Sequence, residues 1–287
     1  MSKIIPIIVF HWNYIDIGLD IYNNYVLDWI NKYSQTILII TTNNKKEILK
    51  HINESNNVYI HEYKNKGMDI GPFIKTINFI YNNLFNLNNN FYVIKIHTKK
   101  DQEWRNFLIS HLLNININID ELFNDNILYC PHKYIYELDN INKDKTIFLL
   151  NNYLNYNAYV YDVIDEDNYT KYEFDPIFYI KYNKLNVNYD ENNNMDKMFI
   201  NFHFSKKGVL KKLPYNEKMI LKKKELNCSF PAGTMFGINF NYLITYFNIE
   251  INDKIYELLE EDHITNVTST YTHSLERIFG ILFNNYD

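Results

Sequence analysis

Two runs decide the fold: Ile4-Ile5-Pro6-Ile7-Ile8-Val9-Phe10 and Thr36-Ile37-Leu38-Ile39-Ile40-Thr41-Thr42. Both are short, apolar and rich in β-branched residues, and both read as buried strands. Between them, Asp16–Lys32 carries Ile17, Ile21, Tyr25 and Trp29 at four-residue steps, the spacing of one helix face. The alternation continues outward from this unit. Lys45–Asn53 predicts a short helix, Val58–Tyr63 a third strand, Pro72–Phe85 a helix with Pro72 in its first turn, and Phe91–Ile96 a fourth strand. Crossovers of this length join parallel strands in βαβ units, with helices on the faces of the sheet. Ligands of such sheets bind at the carboxyl ends of the strands. Those ends are His11–Tyr14, Thr41–Asn43, Lys64–Asp69 and His97–Asp101.

The rest of the chain is less regular. Trp104–Leu113 and Thr272–Phe283 predict helices. Asn151–Asp165 mixes Tyr and Asn with no sharp period, and Asn192–Asn194 reads as a loop. The lysines of Ser205–Lys212 and Lys222–Lys224 read as a solvated face. No repeat and no flexible linker stands out, so one domain over residues 1–287 is expected.

Composition narrows the classes. Hydrophobic residues make up 46% and charged residues 22% of 287, which is a globular rather than a disordered balance. A net charge of −5 excludes a globally basic nucleic-acid binder, though not a local basic patch. Cys130 and Cys228 lie far apart and form neither a metal motif nor a disulfide framework. The first apolar run meets His11 without a small-residue cleavage site, and no run nears ~18 apolar residues. A soluble, cytoplasmic protein with no membrane span is therefore expected. The many Asn, Ile, Lys and Tyr residues read as the codon bias of an AT-rich genome.

Glycine is scarce, so its placement is informative. Four of the seven glycines fall in Asn65-Lys66-Gly67-Met68-Asp69-Ile70-Gly71-Pro72-Phe73 and Gly233–Gly237. The first segment links a strand end to a helix N-terminus, where backbone N–H groups and the helix dipole favour anions. A plain turn with Asp69 as helix cap is the alternative. The fourth strand runs into cations: Lys95-Ile96-His97-Thr98-Lys99-Lys100, then Trp104-Arg105. Lys95 and His97 share one face, and a buried strand seldom carries Lys unless it is paired. Lys99, Lys100, Arg105 and His97 read as a cluster aimed at phosphate, or else as a Lys-rich surface loop. In His273-Ser274-Leu275-Glu276-Arg277, helical spacing puts His273 beside Glu276 and Arg277. Glu276 there reads as a base or as the partner of Arg277. No Walker loop, GxSxG elbow or Cys/His metal spacing occurs, and no Asp-X-Asp follows the fourth strand.

Together these four segments resemble the rhamnan synthesis protein F family of glycosyltransferases. The matching stretches are Asn65–Phe73, Lys95–Lys100 with Trp104-Arg105, Ala232–Phe236 and His273–Arg277, in the family's order. The resemblance implies a GT-A-type α/β fold, related to the Rossmann sheet. It also implies transfer of a sugar, rhamnose or a related deoxyhexose, from a nucleotide-diphosphate donor (dTDP, UDP or GDP) to a hydroxyl of a glycan acceptor. Residues 1–113 then form the nucleotide-sugar half and residues 114–287 the acceptor and catalytic half. Two departures stand out. Thr268 occupies a position that is often acidic in the family, and Gly237 stands where an aromatic is usual, which would open the acceptor side.

On this reading His11, Trp12, Thr41, Asn65, Gly67, Asp69, His97, Lys99, Lys100 and Arg105 bind the donor. Gly233, Thr234, His273, Glu276 and Arg277 face the acceptor. Glu276 is the first candidate for the base, ahead of Asp69 and Asp101, and Lys99 neutralises the leaving diphosphate. No metal cofactor is expected, with Asp69 or Asp101 able to recruit a loosely held Mg²⁺ or Mn²⁺ through the donor phosphates. The rivals are a nucleotide-sugar- or glycan-binding protein without catalysis, and a nucleic-acid binder. The acidic net charge argues against the last.

Overall fold

The computed structural model describes residues 4–85, 89–125, 128–131, 133, 135–137, 143–154, 160–165, 171–172, 187–188, 197–200, 219–224, 229–261 and 270–283. They fall into two compact units, Met1–Leu149 with Cys228–Asp287, and Leu150–Asn227.

The first unit is built on a six-stranded sheet. Strands β1 (Ile4–His11), β2 (Ile37–Thr42), β3 (Val58–Glu62) and β4 (Asn90–His97) are parallel, in the order β3-β2-β1-β4. The strands Phe236–Asn239 and Leu128–Tyr129 extend the sheet beyond β4 in antiparallel pairing. This unit is thus α/β, with a mixed and mostly parallel sheet compatible with a Rossmann-like fold. The four strands expected from the alternation are parallel neighbours. The chain steps outward from β1 through β2 to β3, then returns to lay β4 on the other side of β1. That reversal leaves a crevice at the carboxyl ends of β1 and β4, where ligands of open α/β sheets bind. His11 and His97 are register partners at its mouth.

The elements follow from the residues. β1 is buried on both faces, with Ile7, Ile8 and Phe10 fully enclosed, as a central parallel strand must be. The helix Ile15–Ile21 passes through a π-helical turn, Tyr22–Val26, into Leu27–Lys32. The helix Ile70–Asn83 starts two residues before Pro72, so the missing N–H falls in the first turn. Its Phe73, Ile74, Ile77 and Ile80 are buried, an i, i+4, i+7 stripe. Each such side chain contributes roughly 1.5–3 kcal/mol. Phe73 lies 5.8 Å from Phe236 and 5.8 Å from Phe279, ring centre to ring centre, and the latter two are 5.1 Å apart. This cluster joins that helix, the strand Phe236–Asn239 and the closing helix Tyr271–Phe283.

The expected opening at Gly237 is absent. A Cβ there would lie 2.3 Å from the Tyr92 hydroxyl, so Tyr92 fills the space that an aromatic at 237 would take.

The second unit is an antiparallel sheet of five strands, ordered Lys171–Tyr172, Val160–Asp165, Met219–Lys224, Lys197–Ile200, Val187–Asn188. Lys222, Lys223 and Lys224 lie on one of its strands. The loop at Asn192–Asn194, the basic run Ser205–Lys212 and Thr268 lie outside the described residues. Among the described residues no helix is long and apolar enough to cross a membrane.

Candidate functional site

A cavity of about 180 Å³ opens at the carboxyl ends of β1 and β4. It is lined by His11, Asn13, Tyr14, Asn65, Met68, Asp69, His97, Thr98, Lys99 and Lys100. A larger cavity of about 510 Å³ lies at the ends of β2 and β3, lined by Asn43, Glu62, Tyr63, Lys64, Asn65, Lys66 and Glu261. Asn65 lines both. Thr98 holds one wall in place. Its hydroxyl oxygen accepts from the backbone N–H of Asn13 at 3.0 Å and of Tyr14 at 3.3 Å, pinning the loop after β1 to the end of β4.

Beneath this cavity the four motifs meet in one buried polar network. Lys95 is 1% exposed, and its ammonium donates to Asp69 Oδ2, to the Thr234 carbonyl at 2.8 Å and to Thr234 Oγ1 at 3.0 Å. An ammonium has three N–H donors, so Lys95 is fully satisfied. The Thr234 hydroxyl donates to the same Asp69 oxygen. His97 Nε2 lies 2.7 Å from the Gly233 carbonyl oxygen. The Gly233 N–H donates to Glu276 Oε1, and Arg277 donates to Glu276 Oε2 at 2.7 Å. Residues from the Gly67 turn, β4, the Gly233 turn and the closing helix are thereby linked in series.

Both turns adopt left-handed backbone. Gly67 and Met68 have φ of 67° and 52°, Gly233 and Thr234 have 80° and 53°. A β-branched residue such as Thr234 is strained there, and such strain persists only where the surroundings over-determine it. Here the surroundings are Lys95 and Asp69, which grip both oxygens of Thr234. Gly71 is required for a different reason: a Cβ would lie 1.9 Å from the Lys66 carbonyl oxygen.

The sequence-predicted residues sort unevenly. His11, Asn65, Asp69, His97, Lys99 and Lys100 line the smaller cavity. Thr41 stands just beside it, 3.0 Å from His11 Nδ1 through its hydroxyl. Lys99 Nζ sits over the Trp104 ring at 3.7 Å, and Lys100 Nζ lies 5.1 Å from the Tyr14 ring. Trp12 is a core residue instead. It is fully buried, stacks on Phe10 at 5.1 Å, and leaves no room for a Cβ at Gly18. Arg105 is also turned inward, 6% exposed, and donates to the Lys99 carbonyl at 2.7 Å, so it shapes the Lys99 loop from within. Asp101 caps its helix by accepting from the Trp104 N–H at 2.9 Å.

Arg277, expected in the same cleft as Asp69 and Lys99, is not among the residues that line it. It is buried against the Phe230 ring at 4.5 Å and engages the His273 carbonyl at 2.9 Å. His273 Nδ1 lies 2.6 Å from the Thr270 hydroxyl in the first turn of that helix. Sequence reasoning missed Glu260, which accepts from the N–H groups of Tyr271 and Thr272 at 2.7 and 3.1 Å and so caps the closing helix from a distance. Nothing in the local sequence marks it, because donor and acceptor lie 11 positions apart.

The electrostatics are polarised. Burial raises the Asp69 pKa, but Lys95, His97 and the Thr234 hydroxyl outweigh it and hold the carboxyl well below its usual range. Burial pulls His11 down to about 4, against the pull of Asp69 and with the help of His97 and Lys95. His97 is lowered as well, again chiefly by burial. Burial raises Glu276, partly offset by Arg277 and the Gly233 N–H. At neutral pH the cavity thus presents two neutral imidazoles, an ionised Asp69 and two lysines.

No protein-family profile, no curated protein and no solved structure matches the chain.

Proposed function

We propose that the chain is a glycosyltransferase that moves a sugar, rhamnose or a related deoxyhexose, from a nucleotide-diphosphate donor to a glycan hydroxyl. One observation carries the reading: two of the motifs that resemble the rhamnan synthesis F family, Asn65–Phe73 and Lys95–Lys100, supply Asp69, His97 and two lysines to one cavity at the β1/β4 crevice, and the other two motifs are tied to them by hydrogen bonds. The sheet is compatible with a GT-A arrangement. The nucleoside fits the larger cavity, whose size is in the usual range for small-molecule sites. The diphosphate fits the smaller one, against Lys99 and Lys100. Asp69 uses Oδ2 for Lys95 and Thr234, and turns Oδ1 to hydroxyls of the donor. Lysines replace a metal in this reading. Of the two acids considered for Mg²⁺ or Mn²⁺, Asp69 is already neutralised by Lys95 and Asp101 is used as a cap, so neither makes a good cation ligand. Nucleic acid and membrane have no part in it.

The test is a thermal-shift panel of dTDP-rhamnose, UDP-glucose and GDP-mannose. A donor at 100 times its Kd adds about 2.7 kcal/mol of stability. Release of nucleoside diphosphate then separates a transferase from a binding protein without turnover.

A further inference from the structure

We infer that His97, and not Glu276, is the base that takes the proton from the attacking hydroxyl, with the Gly233 carbonyl fixing the tautomer that lets it do so. The inference rests on the transferase reading above.

A carbonyl oxygen only accepts hydrogen bonds. The ring nitrogen 2.7 Å from the Gly233 carbonyl, Nε2, therefore carries a proton. In a neutral imidazole the lone pair then resides on Nδ1. Nδ1 has no hydrogen-bond partner among the described residues and is not sealed from solvent. It is the basic atom that His97 offers to the cavity it lines.

The groups facing the ring are Asp69, Lys95, Lys99 and His11. Burial keeps the ring uncharged at neutral pH, Asp69 acts against that, and Lys95 and Lys99 add to it. The lone pair is thus free without any prior loss of a proton.

Glu276 is occupied by contrast. Oε1 takes the Gly233 N–H and Oε2 takes Arg277. Its task is to hold the Gly233 turn, and through the Gly233 carbonyl to hold His97. Glu276 is a positioning residue.

The reaction is a single displacement. The hydroxyl proton passes to His97 Nδ1 as the oxygen forms its bond to the anomeric carbon. The bond from that carbon to the diphosphate oxygen breaks, and its electron pair leaves on the nucleoside diphosphate. Lys99 and Lys100 meet the new negative charge. A displacement of this kind inverts the anomeric centre.

The test uses His97→Gln, which keeps an N–H for the Gly233 carbonyl but has no basic nitrogen. Nucleoside-diphosphate release from dTDP-rhamnose, UDP-glucose and GDP-mannose should fall by roughly 10²–10⁴. The thermal shifts with the same three compounds should change far less than the release does, since Gln keeps the N–H to the Gly233 carbonyl. Glu276→Gln keeps the basic nitrogen, so it should cost less and should move the acid limb of the pH profile. Release that stays within tenfold in His97→Gln, despite normal thermal shifts, overturns the base role alone. Thermal shifts without release in the native protein overturn it as well. No shift with any of the three compounds sinks the transferase reading itself. Nitrogen NMR of the native protein gives a readout free of activity: a proton on Nε2 is expected, and a proton on Nδ1 overturns the inference.

Discussion

Lys95 Nζ and Asp69 Oδ2 form an ion pair that joins the end of β4 to the turn before helix Ile70–Asn83, with side chains only 1% and 12% exposed. An ion pair this deep adds little net stability when intact, because both charges lose their water. Breaking it leaves one charge uncompensated. Lys95→Met should therefore cost about 3–5 kcal/mol, and the double change Lys95→Met with Asp69→Leu much less than the sum of the two single changes. Urea unfolding of the three variants measures this. A full-size loss that persists in the double variant would show that packing, not charge, dominates the site.

The same cluster sets a pH dependence through His11. Unfolded, it titrates at its ordinary 6.5; folded, at about 4. Between these values the unfolded chain binds more protons, so stability rises with pH there and is lost as pH falls from about 6.5 to about 4. At 1.36 kcal/mol per unit this gap has a ceiling of about 3 kcal/mol. His97 acts with the same sign. Asp69, whose folded value is depressed, adds stability that is fully present above its unfolded 3.8 and is lost only in stronger acid. Glu276 opposes the histidines, since its folded value is raised and its stabilisation fades as pH climbs above 4.5. His11→Asn isolates the first effect. Its melting temperature should fall less than the native one as pH drops from about 6.5 to about 4, because asparagine takes up no proton.

Much of this was legible in the residues. The apolar runs of β1 to β4 and the stripe over Ile70–Asn83 carry strand and helix patterns, and the alternation of the two leads to the parallel pairing. The site was legible as motifs, but not as geometry. Lys95 was expected to be paired, yet only the fold brings Asp69 and Thr234 to it. Trp12 and Arg105 follow or flank polar strand ends, which suggested the cleft; burial took both inward. Partners distant in sequence, such as Gly233 with Glu276 or Glu260 with Tyr271, leave no local pattern to read.

Gly233→Ala tests how far the turn controls Lys99. The position has φ of 80°, and an added Cβ would sit 3.3 Å from the Trp104 ring and 3.4 Å from Lys99 Nζ. Backbone strain and that contact act together, so the variant should lose more than about 1 kcal/mol in urea. It should also weaken the thermal shift with nucleotide-sugars, because Lys99 must move off its place over Trp104. A variant as stable as the native protein, with an unchanged shift, would mean the turn relaxes freely.

In the transfer proposed above, the leaving diphosphate carries negative charge. Something must meet its charge before the bond to the sugar breaks. At the end of β4 the chain sets Lys99 and Lys100 around the cavity, while Asp69 is bound to Lys95 and Asp101 caps a helix. A lysine near 4 Å from a phosphate gains on the order of 4 kcal/mol of gross Coulomb energy at an effective dielectric of 20, before desolvation is counted. Lys99 lies over the Trp104 face at 3.7 Å, which limits its rotamers without neutralising it, as the proposed role requires. Turnover of the nucleotide-sugar donor should therefore survive exhaustive EDTA treatment. Lys99→Ala should lower it by roughly 10²–10³, the loss typical of one preorganised group that stabilises a developing anion. Salt should weaken donor binding, since the contact is a point charge at the mouth of a cavity. Activity that disappears with EDTA and returns with Mn²⁺ would give the neutralising role to a metal and reduce Lys99 to a supporting cation.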